Sequence, residues 1–273
     1  MLNLKTFSKE NCMLNKRTPP SAAKTSWEPV QKWYHGLVGE EGHYYHRQII
    51  LPGVLRLLGQ PKSVLDLGCG NGILARYLPK ETHYMGIDAA PSLIKAAKKN
   101  DTVSNHQYLL ADITKPFKLE AHRFSHATLI LAAQNLEFPL KAFQNAKNYL
   151  EPGGKFILVV NHPCFRIPRQ SSWEIDENKK IQYRRLDRYL TSLKIPIQAH
   201  PGKGELSPSS VSFHYPLSSF AQWLSEAGFA IDWMEEWCSD KVSIGKAAKM
   251  ENRAREEFPL FLAIRAVRTL TKD

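Results

Sequence analysis

Three aspartates stand at regular places in this chain, each beside or behind a short apolar run. Asp66 lies inside VLDLGCGNG (64–72), Asp88 closes Tyr84–Ile87, and Asp112 closes Gln107–Ala111. The first run passes directly into Gly68, Gly70 and Gly72. Glycine permits positive φ and lets a ligand approach the backbone closely. Ile73–Tyr77 reads as the start of a helix running to Leu78, and a helix start would offer free N–H groups beside the turn. Asp88 follows Asp66 by 22 residues, one strand-helix-strand step. A carboxylate there can accept both hydroxyls of a ribose. The combination predicts a nucleotide-cofactor site at the first strand-to-helix turn of a doubly wound α/β sheet.

Glycine spacing separates the candidate cofactors. The dinucleotide pattern GxGxxG would need a third glycine where Ile73 stands, and no GxxxxGK phosphate loop is present in this segment. What remains is D-x-G-x-G-x-G from Asp66 to Gly72, which resembles the first motif of the class I S-adenosylmethionine-dependent methyltransferases. The resemblance implies that Asp66, Gly68, Cys69 and Gly70 cradle the cofactor and that Asp88 and Ala89 meet its ribose. It implies further that Asp112 accepts the adenine amino group, with Ala111 and Ile113 packed beside the ring. Further along, SFHYPLSSFAQWLSEAGFAI (212–231) is similar to a stretch of the UbiE-like small-molecule methyltransferases. Two positions depart from that pattern. Ser125 opens the fourth strand where an acid is common, and Gln134-Asn135 follows it where a His is common.

These residues need an alternating scaffold to hold them. Strands are predicted at 63–67, 84–87, 107–111, 127–131 and 155–161, with helices at 91–99 and 140–150 between them. Glu151-Pro152-Gly153-Gly154 reads as the turn that ends the second of these helices. A helix at 217–227, a strand at 229–237, a polar and partly helical connection at 239–256 and a strand at 260–267 complete the chain. The resembled fold implies a Rossmann-like seven-stranded sheet in the order 3-2-1-4-5-7-6, with the seventh strand antiparallel. Residues 1–26 read as a flexible tail and 27–60 as a helical cap, with amphipathic Ile49–Leu58 carrying Pro52 in its first turn. Residues 61–273 form the methyltransferase-like domain. Within it, 162–213 lacks long periodicity and reads as an insertion over the active site.

Composition narrows the setting. The 273 residues are 43% hydrophobic and 23% charged, ordinary for a soluble globular protein. No apolar run approaches the roughly 20 residues of a membrane span, and the first residues lack a secretory apolar core, so a cytoplasmic location is expected. Cys12, Cys69, Cys164 and Cys238 form no CxxC pair, so no metal cluster is indicated. The net charge of +11 permits an anionic partner. From Arg166 to Lys203 there are nine Lys or Arg against four Asp or Glu.

Methyl transfer is an in-line displacement, so the protein's main task is positioning. A base is required only when the acceptor must lose a proton. His162, directly after the fifth strand, is the first candidate, and His214 the second. Tyr34, Tyr44, Tyr45 and Asn135 are candidate acceptor-binding residues, the aromatics as walls of an apolar pocket. His35, His43 and His46 lie among those tyrosines. Cys164 in NHPCF reads as an inert turn residue. A small-molecule acceptor is expected. The alternatives are an RNA substrate, favoured by KKIQYRRLDRY (179–189), and an inactive cofactor-binding protein.

Overall fold

The structure is a computed structural model, described over residues 43–120, 123–198 and 209–270. The tail and most of the cap expected before residue 43, including Tyr34 and His35, lie outside the described residues. A π-helical turn, His46–Ile50, leads into α1 (Leu51–Leu58), which takes Pro52 in its first turn, where no N–H partner is needed. The sheet strands are β1 (Ser63–Leu67), β2 (His83–Asp88), β3 (His106–Leu110), β4 (Phe124–Ile130) and β5 (Leu150–Asn161). Between them lie α2 (Pro91–Asn100) and α3 (Pro139–Tyr149), both opened by proline. The chain then forms two hairpins, β6 (Ser171–Asp176) with β7 (Ile181–Leu186), and β8 (Leu193–Gln198) with β9 (Ser209–His214). It finishes with α4 (Leu217–Glu226), β10 (Phe229–Trp237), α5 (Ala248–Glu257) and β11 (Phe261–Arg268).

The central sheet has seven strands in the order β10-β11-β5-β4-β1-β2-β3. β11 runs antiparallel to both neighbours, and the other paired strands are parallel. This is the order and the strand direction expected from the sequence.

Each face of the sheet has its own core. Leu65, Leu67, Ile87, Leu129, Phe156 and Leu158 face α3 and α4, with Phe156 tilted between Phe143 and Phe229 at 5.4 and 5.2 Å. Val64, Tyr84, Ile157 and Val159 face α1. Full burial of such a side chain contributes about 1.5–3 kcal/mol. Trp237 lies so close over α1 that a Cβ at Gly53 would come within 2.3 Å of its ring.

The first crossover departs from expectation. No α-helix follows β1; the segment after Gly72 is turns and a single 3₁₀ turn, Ala75–Tyr77. Pro79 is the cause, because the residue before a proline is driven out of the helical region. Leu78 is accordingly extended, at φ −80° and ψ 153°. The glycine turn is therefore followed by turns and not by the helix start expected beside it.

Two smaller corrections concern β5 and the insertion. β5 begins at Leu150 rather than Lys155, because Leu150 pairs with Phe124 before Gly153 (φ +75°) admits an irregularity in the register. The insertion is built from strands. Its hairpin β6–β7 exposes Ile175, Ile181 and Tyr183, so it lacks the one-sided burial that makes a strand legible.

Candidate active site

The carboxyl ends of the parallel strands converge on one edge, where open α/β sheets bind ligands. Gly68, Gly70 and Gly72 all adopt positive φ, at +72°, +56° and +72°. A Cβ on Gly68 would sit 2.7 Å from the Cβ of Ala132, and one on Gly72 would sit 2.7 Å from the Tyr108 hydroxyl. Only bare backbone fits there. Cys69 is buried against Gly86, and burial pushes its thiol well up, so it packs as an apolar side chain.

A side-chain carboxylate helps to hold the turn. Asp88 Oδ2 accepts the Gly70 N–H at 2.9 Å, and Oδ1 accepts the Ala90 N–H at 2.9 Å. One carboxylate thus ties the glycine turn to the residue that leads into α2. Asp66 points into the sheet's α1 face, where the Tyr84 hydroxyl (2.7 Å) and the Thr128 hydroxyl (2.8 Å) donate to it. Burial drives its pKa up to about 6 against the opposing effect of those two bonds. It supports the turn from below.

Asp112 accepts from the Thr114 amide and hydroxyl at 2.9 and 2.7 Å, with Lys115 at 3.3 Å. Burial alone would raise this carboxyl, but the Thr114 bonds and Lys115 outweigh it and lower it, so it is anionic. Asp88 and Asp112 are both half-exposed on the edge, Ala89 is exposed, Ala111 is half-buried, and Ile113 is buried under the Gly68 turn. A donor-rich ligand would meet acceptors at two strand ends and apolar surface between them.

Next to this edge lies a pocket lined by Gln134, Asn161, Arg166, Ser212, His214 and Tyr215. It sits at the ends of β4 and β5, with the β9 end of the second hairpin as its wall. Just after β4, Leu131 takes φ +51°, a backbone conformation costly for a bulky side chain. The Gln134 carbonyl oxygen is buried without a hydrogen-bond partner.

The two candidate histidines differ in what remains free. His162 Nδ1 accepts from the Cys164 amide at 3.2 Å, so its Nε2–H donates to Glu236 at 2.7 Å. Both ring nitrogens are engaged within the protein. His214 donates Nε2–H to the Tyr189 carbonyl at 2.6 Å, which leaves Nδ1 as the basic nitrogen. Burial lowers the pKa of both rings, so both are neutral near pH 7.

The aromatic candidates divide similarly. Tyr45 packs edge-on against Phe261 at 5.9 Å, the ring that also carries the Arg166 guanidinium at 5.0 Å, and so reaches the pocket's neighbourhood. Tyr44 donates to Asp240 and lies beneath Lys241, farther out. The Asn135 amide folds back onto the Leu131 carbonyl at 3.3 Å, and its neighbour Gln134 lines the pocket instead. Gln134, Asn161, Arg166 and Tyr215 were not foreseen as site residues. Position after a strand end was the one available signal, and it marks Gln134 and Asn161 but not Arg166 or Tyr215.

A family model described as a methyltransferase domain matches residues 42–232. This chain belongs to the class I S-adenosylmethionine-dependent methyltransferases. The methyltransferase is 31% identical over 145 residues to a ubiquinone biosynthesis O-methyltransferase of Coxiella burnetii, a match covering 51% of this chain and 58% of that relative. It therefore spans little more than half of that curated relative. It is also 36% identical over 77 residues to a mouse 18S rRNA (guanine-N(7))-methyltransferase, covering 28% of this chain and 27% of that one. Among solved structures, an S-adenosylmethionine-dependent methyltransferase from Mesorhizobium loti superposes with a TM-score of 0.62 at 26% identity. That match covers 84% of this chain and all of the other.

S-adenosylmethionine is the cofactor of this methyltransferase family, and the residues present fit it. The glycine turn has the side-chain-free surface a nucleoside needs, Asp88 and Asp112 supply the acceptors, and Ala89 and Ala111 supply the apolar flanks. Among the described residues no helix is long and apolar enough to cross a membrane, and no cluster of metal-ligating side chains occurs.

Proposed function

We propose that this chain transfers a methyl group to a small-molecule acceptor that reaches the narrow pocket between Gln134, Asn161, Arg166 and His214, about 20 Å³, from the neighbouring cavity of about 140 Å³ that shares Arg166. The observation that carries the reading is the adjacency of that pocket to the three-strand cofactor edge, roofed by the inserted hairpin ending at His214. When bound, S-adenosylmethionine supplies an activated methyl carbon. The chain's own residues do the rest. Asp88 and Asp112 fix the nucleoside end. The Gln134 carbonyl oxygen takes a hydrogen bond from the acceptor, which would satisfy its buried lone pairs. His214 Nδ1 accepts the proton where the nucleophile carries one, and the Tyr189 carbonyl holds the ring in the required tautomer. His162, braced by Glu236, orients the carboxyl end of β5.

The charge pattern of the insertion favours a small acceptor over RNA. In the basic run, Lys179 pairs with Asp176 at 3.6 Å, and Arg185 pairs with Asp187 and Glu174 at 2.8 and 3.6 Å. Two of the five basic residues of that run are thus paired within the hairpin, and Arg184 turns inward onto the Phe165 carbonyl and Ser171, so fewer of its charges are left to grip a phosphate backbone. A labelled-methyl assay tests the reading. The full chain is supplied with methyl-labelled S-adenosylmethionine and a panel of phenols, carboxylic acids, amines and total RNA. Label in a low-molecular-weight product supports the proposal, and label confined to RNA overturns it.

A further inference from the structure

Arg166 and Arg184 are buried in part behind aromatic rings, and neither forms an ion pair among the described residues. They share one pocket, formed where hairpin β6–β7 meets the segment 258–260 ahead of β11. The Arg166 guanidinium lies over Phe261 at 5.0 Å, and that of Arg184 over Trp173 at 5.1 Å. Each guanidinium is therefore held over a ring, which restricts its position.

Donor accounting points the same way. A guanidinium carries five N–H donors. The protein takes one from Arg166, through the Leu260 carbonyl at 3.3 Å. It takes two from Arg184, through the Phe165 carbonyl at 2.7 Å and Ser171 Oγ at 2.8 Å. Those bonds aim the groups without neutralising them. Burial of two like charges together is costly unless an anion joins them. Burial lowers the pKa of both groups, and for Arg166 the charge on Arg184 adds to the effect. Of the other pocket walls, Phe165 and Trp173 each pack edge to face on Phe258, at 5.5 and 5.4 Å, and Pro259 and Leu260 complete the lining. Arg166 also lines the pocket that holds His214 and Gln134, so it joins the two cavities.

We propose that Arg166 and Arg184 bind the carboxylate of an aromatic-acid methyl acceptor, with Phe165, Trp173 and Phe258 as its apolar walls. The proposal rests on the methyltransferase reading above and names the chemical class of its substrate. A planar carboxylate matches the guanidinium fork. The aromatic walls suit a flat small acid.

Isothermal titration of the full chain tests it, with benzoate, benzamide, inorganic phosphate, a short oligouridylate and S-adenosylhomocysteine as probes. Benzoate is expected to bind saturably, with benzamide and phosphate weaker by more than roughly tenfold. Arg166→Gln and Arg184→Gln are each expected to weaken benzoate by more than roughly tenfold and to leave S-adenosylhomocysteine affinity unchanged. The benzoate-benzamide comparison needs no variant, so it decides even where a substitution unfolds the chain. Equal binding of the two, or phosphate as tight as benzoate, overturns the proposal. Oligouridylate binding that both variants abolish, with no benzoate binding, overturns it in favour of nucleic acid. Failure of the wild type to bind S-adenosylhomocysteine would instead strike at the methyltransferase reading, and the benzoate result would still decide the arginine site.

Discussion

Gly70 donates its backbone N–H to Asp88 Oδ2 at 2.9 Å, so the end of the second strand holds the turn after the first. The other Asp88 oxygen accepts from Ala90, the residue just before α2, so the same carboxylate also fixes the entry to that helix. This double anchoring gives Asp88 two duties, shaping the turn and meeting a ribose. Asp88→Ala is expected to weaken S-adenosylmethionine about ten- to a hundredfold, the loss of charge-assisted hydrogen bonds worth about 1.5–3 kcal/mol. Asp88→Asn keeps one acceptor and should fall between. Calorimetric titration, with circular dichroism to confirm folding, checks both.

Glycine at position 68 is required twice over, by its φ of +72° and by the 2.7 Å approach of Ala132. Gly68→Ala should cost about 2–4 kcal/mol in stability, from left-handed strain plus overpacking. Gly59→Ala is the control, since its φ is +65° but nothing lies within 4 Å of its Cβ position. With ψ at −117° its backbone lies outside the left-handed helical region, so it should cost the backbone part alone, about 1–3 kcal/mol. Urea denaturation of the two variants separates strain from crowding.

Asp66 ties stability to pH in a direction unusual for a carboxylate. Its folded pKa is raised from 3.8 to about 6, so the folded state holds the proton more tightly than the unfolded state. Its contribution is full below pH 3.8 and is lost as pH rises through 6, on the order of 3 kcal/mol. Asp66→Asn should remove that slope between pH 4 and 6. Tyr84 and Thr128 would still find a donor and an acceptor in the amide. Denaturation midpoints measured across pH 4–7 in both proteins test it.

Of the two histidines, His214 has the free ring nitrogen. For an acceptor that must lose a proton, His214→Ala is expected to reduce kcat about 10²–10⁴-fold with cofactor affinity unchanged. Because burial lowers its pKa below 6.5, the wild-type rate should hold its plateau to pH values below 6.5 before falling. Glu236→Gln leaves the His162 bond with a neutral partner and should change the rate far less. Steady-state kinetics across pH 5–8 distinguish the two rings.

The sheet was legible because its strands obey period and spacing. Val64, Leu65 and Leu67 around Asp66 mark β1 plainly, and β10 runs from Phe229 to Trp237 as read. Asp88 and Asp112 stand at strand ends because the βα repeat puts them there. The missing helix after Gly72 could have been read from Pro79, a local effect outweighed by the appeal of the overall pattern. The inserted hairpins could not, because a strand exposing Ile181 and Tyr183 has no single buried face to leave a trace. Arg166 and Arg184 come together only through that hairpin's docking on 258–260, a contact between segments far apart in the chain. Tautomers were invisible as well. The Cys164 amide and the Tyr189 carbonyl that set the two rings are backbone groups placed by the fold.

A crystal structure of the full chain with S-adenosylhomocysteine tests the central claim most directly. The nucleoside should lie across the carboxyl edge of β1, β2 and β3, its ribose hydroxyls on Asp88 and its base beside Asp112, with the sulfur turned toward Gln134 and His214. A nucleoside bound anywhere else, or lying on that edge without contact to Asp88, would contradict it.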